Sequence, residues 1–166
     1  MARLVLVGLP GVGKTSAGRV LAKRWKCTFV DTDALFKKTI GLTVGDYIRE
    51  YGEPKFRETE LGVLRSALDS YDIVSTGGGI ISTPEAREVL KSNVTFWLDC
   101  DDAVIVERTA TGDRPLLGDN PAQGIIALRE KREDLYREVA RARIDASGKL
   151  VQVLNRLTKE YKKVSQ

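Results

Sequence analysis

An α/β fold, with helices covering both faces of a mostly parallel sheet, is predicted by three observations in the sequence. Short runs rich in apolar and β-branched residues alternate along the chain with stretches of helical periodicity. The first run, Leu4-Val5-Leu6-Val7, is apolar without a break, as expected of a strand buried on both faces. It runs directly into Gly8-Leu9-Pro10-Gly11-Val12-Gly13-Lys14-Thr15, which fits the phosphate-binding pattern G-x-x-x-x-G-K-[ST] between a strand and a helix.

The elements follow in order. A strand over Arg3–Val7 leads through the glycine-rich turn into a helix over Lys14–Arg24, where Ala17, Val20 and Leu21 fall at helical spacing among Arg19, Lys23 and Arg24. A second strand, Thr28–Val30, precedes helices over Asp33–Thr39, Val44–Tyr51 and Glu53–Ser70. The third strand, Asp72–Ser75, is followed by three glycines and a helix opened by Pro84 and running to Lys91. Val94–Leu98 forms the fourth strand and Asp101–Thr109 the next helix. Between Ala110 and Gln123 the composition shifts to Gly112, Pro115, Gly118, Asn120 and Pro121, too long for a tight connection, so this stretch is a lid or irregular surface. A helix over Pro121–Arg141, a short fifth strand ending at Ile144 and Asp145, and a helix over Lys149–Lys162 complete the chain. No repeat or low-complexity segment interrupts it.

The 166 residues suit one domain, and 42% hydrophobic with 30% charged residues is ordinary for a globular protein. The longest apolar runs have only strand length, so neither a membrane span nor a targeting segment is expected. Cys27 and Cys100 are isolated and there is no histidine, which argues against a zinc site, a histidine base and a disulfide scaffold, and makes the reducing cytoplasm the simplest compartment. Net charge is +4, and the basic residues lack the aromatic interleaving of a single-strand nucleic-acid binder. The excess is read as serving phosphates and a carboxylate rather than nucleic acid.

Unpaired N–H groups and the positive end of the helix dipole converge after the glycine-rich turn, which suits a nucleoside triphosphate. Lys14 adds a positive charge and the Thr15 hydroxyl can ligate Mg2+. Asp31-Thr32-Asp33 lies at the carboxyl end of the second strand, where open sheets bind ligands. Its two carboxylates either cap the next helix or serve a metal's water and a substrate hydroxyl. Arg57 and Glu60 are an i,i+3 helical pair, either a surface ion pair or, if buried by the pocket, a fork for a carboxylate. Gly77-Gly78-Gly79 is either a flexible loop or a turn over which a ligand lies closely. No metal-binding Asp precedes these glycines on their strand, which leaves Asp31 as the substitute. Arg114, in Arg114-Pro115-Leu116-Leu117, is either solvated or swings over the phosphates. Arg129, Lys131, Arg132 and Arg137 are too numerous to separate by pattern, and most are expected to be solvated.

This ordered set resembles the shikimate kinase family over nearly the whole chain: the phosphate loop, D-T-D at Asp31–Asp33, F-R-x-x-E at Phe56–Glu60, G-G-G at Gly77–Gly79, R-P-L-L at Arg114–Leu117 and L-Y at Leu135-Tyr136. The resemblance implies a three-layer P-loop kinase fold like that of nucleoside monophosphate kinases, with a five-stranded parallel sheet in the order 2-3-1-4-5. It implies one domain over residues 1–166, with substrate-binding helices about 32–60 and a lid about 110–123. The implied reaction moves the γ-phosphoryl group of ATP to the 3-hydroxyl of shikimate, a step of aromatic amino-acid biosynthesis, with Mg2+ as cofactor and a monomer as the working unit. ATP would be held by Gly11, Val12, Gly13, Lys14, Thr15, Ser16, Arg108 and Arg114, and shikimate by Asp33, Arg57, Glu60, Gly77, Gly78, Gly79 and Arg132. Metal contacts fall to Thr15 and, through water, Asp31; Lys14, Asp33 and Arg114 carry catalysis. The stretch from Arg108 to Arg114 is shorter than the family's. The rivals are another small-molecule kinase, such as a gluconate kinase, a kinase-like protein that binds a partner without catalysis, and a nucleic-acid-binding ATPase. The combined F-R-x-x-E, G-G-G and R-P-L-L pattern argues against the first.

Overall fold

A computed structural model describes residues 1–110 and 119–166. Arg114, the R-P-L-L motif and most of the expected lid lie outside the described residues. Five parallel strands, β1 (Leu4–Val7), β2 (Phe29–Asp31), β3 (Ile73–Ser75), β4 (Thr95–Asp99) and β5 (Ala142–Asp145), form one sheet in the order β2-β3-β1-β4-β5. The expected fold class and strand order are therefore observed. β1, β3 and β4 are buried along their whole length, which is why their sequences show no polar alternation.

The helices are α1 (Lys14–Trp25), α2 (Thr32–Ile40), α3 (Val44–Tyr51), α4 (Glu53–Ser70), α5 (Pro84–Lys91), α6 (Asp102–Thr109), α7 (Pro121–Val139) and α8 (Leu150–Val164). Most boundaries shift by a residue or two from the sequence expectation, and those of β2, α2 and α7 shift through tertiary contacts. β2 extends to Asp31 because Asp31 pairs with Ser75, and α2 accordingly begins at Thr32. α7 stops two residues early because Ala140 turns extended and the Arg141 N–H donates to the Thr95 carbonyl, joining the sheet. A 3-10 turn, Ile80–Ser82, follows the glycine triplet and buries two isoleucines.

Two apolar clusters are present among the described residues. The larger packs α1, α4, α5, α7 and α8 against the sheet. The smaller joins α2, α3 and α4 through Phe36, Tyr47, Phe56 and Val63. Within it Phe36 meets Tyr47 edge-on at 5.2 Å and Phe56 at 5.4 Å, the geometry favoured by ring quadrupoles. That contact sets the helices carrying Asp33 and Arg57 against each other.

The arginines of α7 separate in a way the sequence did not reveal. Lys131 and Arg137 are exposed, as expected for most of the set. Arg129 instead donates to Asp99 (2.9 Å), Asp102 (2.7 Å) and the Cys100 carbonyl (2.8 Å), and Arg143 of β5 shares Asp99. The Asp99 side chain is 3% exposed, so its charge depends on these partners. Asp99→Ala should cost about 3 kcal/mol, lowering Tm by roughly 6–12 °C in a thermal melt.

Candidate active site

β1 delivers the chain to the centre of the sheet, with β3 on one side and β4 on the other, so the phosphate loop opens at the point where the strand order reverses. Gly11 takes φ +83°, and a Cβ there would stand 2.3 Å from Thr109 Cγ2, so the turn needs glycine on both counts. α1 starts without a side-chain cap and without an acidic residue in its first turn, which leaves its N-terminal amides suited to an anion. Lys14 is 7% exposed and donates from Nζ to the carbonyls of Gly8 (2.7 Å) and Leu9 (2.9 Å), holding the ammonium inside the loop.

The capping reading of Asp31 is observed on one oxygen, and the other oxygen faces the phosphate loop. Oδ1 accepts from the N–H groups of Asp33 and Ala34, both at 3.0 Å, and caps α2. Oδ2 accepts from the Thr15 hydroxyl at 2.7 Å, which ties β2 to the phosphate loop. On the other side Arg108 donates to the Val12 carbonyl at 2.9 Å and the Gly148 carbonyl at 3.4 Å, bridging the phosphate loop to the β5–α8 connection.

Across the cleft, the absence of side chains on the glycine triplet admits charged groups at close range. A Cβ on Gly77 would lie 2.8 Å from the Asp33 carboxylate, and one on Gly79 would lie 2.6 Å from Arg57 Nη2. The Gly77 N–H donates to Thr32 Oγ1, which secures the triplet to the start of α2. Arg57 is not a surface residue: its side chain is 15% exposed, it pairs with Glu60 (2.9 Å) and Glu53 (3.2 Å), and its Nε is buried without a hydrogen-bond partner among the described residues. Burial pushes the Glu60 carboxyl above its ordinary value, against the opposing pull of Arg57. Asp33 raises it further and Arg132 lowers it, so these four side chains share one electrostatic environment.

Thr15, Ser16, Asp31, Asp33, Arg57, Glu60, the triplet, Arg108 and Arg132 all line a single cleft of about 1260 Å3, continuous with the phosphate loop. A sequence model of the family described as shikimate kinase matches residues 10–162. The chain belongs to the shikimate kinase family. The shikimate kinase of Corynebacterium diphtheriae is 40% identical over 148 residues, covering 88% of this chain and 86% of that one. The solved shikimate kinase from Acinetobacter baumannii in complex with shikimate superposes with a TM-score of 0.87 at 32% identity, over 97% of this chain and 91% of that chain. A gluconokinase from Sinorhizobium meliloti, 18% identical with a TM-score of 0.68 over 98% of this chain and 93% of that one, shares the fold.

Within this shikimate kinase family member, the structure brings together every site residue expected from the sequence that lies among the described residues. Sequence reasoning missed Val44, Gly45, Ile48 and Arg49 of α3, which form one wall of the cleft. The i,i+4 spacing of Val44 and Ile48 was visible, but such a pair marks a core face equally well. Thr32 and Tyr136 were quoted only as parts of motifs, and their hydroxyls both hold the glycine triplet.

Proposed function

We propose that Asp33, Arg57, Glu60, Arg132 and the glycine triplet hold shikimate through its carboxylate and hydroxyls, while the phosphate loop holds ATP, so that the γ-phosphoryl group passes to the 3-hydroxyl and leaves ADP. The observation that carries this reading is the buried, partly unsatisfied Arg57 fork over Gly79 in the same cleft as the phosphate loop. A fork with two parallel donors matches a carboxylate, and fixing the acceptor by its acid group orients its hydroxyls.

Phosphoryl transfer asks mainly for position and charge compensation. Lys14 would move from the loop carbonyls to the phosphates and offset their charge, and Arg114 would add a second positive charge. Asp33 would align the attacking hydroxyl and accept its proton. Arg108, beside Gly148, would border the adenine. Thr15 and Asp31 present a hydroxyl and a carboxylate side by side, which fits Mg2+, a cation that keeps several waters and takes few protein oxygens beside nucleotide phosphates. Mg2+ when bound supplies charge stabilisation at the phosphate oxygens. No helix among the described residues is long and apolar enough to cross a membrane. The reading is completed by a single domain working as a cytoplasmic monomer on two small molecules.

ADP release with shikimate, gluconate and nucleoside monophosphates as separate acceptors tests the assignment. Acceleration by shikimate alone is expected, and its absence would sink the reading. A pH dependence follows from Glu60. Its raised carboxyl pKa means that its contribution to stability is fully present below the ordinary glutamate value and lost as pH rises through the folded one. The clamp has the opposite preference, because Arg57 needs the ionised partner. The KM for shikimate should therefore rise as acidification protonates Glu60, at a pH above the ordinary glutamate value, and Glu60→Gln should raise it on the alkaline side of that limb and flatten the limb.

A further inference from the structure

Tyr136 of α7 is the largest fully buried side chain among the described residues, at 1% exposure. Phenylalanine would fill the same space, so the hydroxyl calls for an explanation in what it holds. A buried tyrosine hydroxyl must find partners. Here it donates to the Gly78 carbonyl at 2.6 Å, and the tyrosine oxygen accepts a hydrogen bond from Arg132.

Gly78 stands at the seam of the cleft: a Cβ on it would lie 3.0 Å from Arg132 Nη1 and 3.0 Å from Pro10 of the phosphate loop. Its carbonyl and the Gly79 N–H belong to one planar peptide unit, so holding the carbonyl also fixes where that donor points. Arg129, Arg132 and Tyr136 lie at i, i+3 and i+7, on one face of α7. Arg129 ties that face to the end of β4, and the Tyr136 ring stacks on Trp97 at 6.0 Å and 25°.

We infer that Tyr136 is a positioning residue for the acceptor: its hydroxyl fixes the Gly78–Gly79 peptide and the Arg132 guanidinium relative to each other, so that two segments far apart in sequence grip one hydroxylated carboxylate in one geometry. The inference rests on the assignment of these residues to the acceptor. Burial pushes the phenol up to about 12, against the pull of Arg132, so the group stays protonated and keeps donating.

Tyr136→Phe keeps the ring and its stacking, and a melting curve fixes an assay temperature at which the variant is folded. Its KM for shikimate should rise about tenfold, with the KM for ATP within about twofold of the parent, because one hydrogen bond is lost and a buried carbonyl is left without its donor. Trp97→Phe is the packing control, since its indole Nε1 makes no hydrogen bond among the described residues. That variant should lower Tm and leave the KM for shikimate unmoved. An unchanged KM for shikimate in Y136F, a parallel rise in both KM values, or an equal effect of W97F overturns the inference. A parent protein that turns over no shikimate overturns the acceptor assignment itself, which distinguishes the two failures.

Discussion

Lys14→Met is expected to lower kcat roughly 10^3-fold while leaving the fold intact, because it removes the charge and keeps most of the buried stem. The ammonium sits at the mouth of α1, where the loop amides converge, and it donates to two loop carbonyls. On our reading the same charge is needed more in the transition state than in the ground state, since negative charge spreads over the transferring group. The effect should therefore fall mainly on kcat, with a smaller rise in the KM for ATP. Steady-state ADP release at saturating shikimate decides it, and activity within tenfold of the parent would remove Lys14 from catalysis.

Arg57→Ala should reduce kcat/KM for shikimate by about 10^2–10^3 and change the KM for ATP by no more than about threefold. The asymmetry follows from position: Arg57 lies over Gly79 and beside Glu60, on the acceptor side of the cleft. Arg57→Lys should fall between the two, because it keeps a charge and loses the planar fork. In the alanine variant Glu60 loses the partner that opposes its burial, so its carboxyl should hold a proton to still higher pH. Equal losses for both substrates would make Arg57 a structural residue of α4 rather than a clamp.

The parts of this site that were legible in the sequence are those where local pattern and chemistry coincide. The phosphate loop could be read because strand, glycine turn, lysine and helix are adjacent in the chain, so spacing alone fixes their geometry. Asp31 was legible as a pair of alternatives: the structure shows the cap on Oδ1, while Oδ2 meets the Thr15 hydroxyl and the metal role belongs to the proposed function. Arg129 and Arg132 could not be separated by composition. They differ only in what stands opposite them: Asp99 and Asp102 for the first, the glycine triplet for the second. The α3 wall was illegible for a similar reason, since an apolar i,i+4 pair serves a core and a ligand cleft alike.

By itself the sequence determined the parallel α/β class, the element order, the phosphate loop and, by its ordered motifs, the family. Each depends on near neighbours in the chain or on residue type, and neither needs a third dimension to be read. Only the tertiary structure decided the meaning of residues whose partners are distant: the Thr15–Asp31 contact across 16 residues, the Arg129–Asp99 pair across 30 and the Tyr136–Gly78 bond across 58. Charge and hydroxyl groups act over a few ångströms of space, and their partners become neighbours only when the sheet has formed.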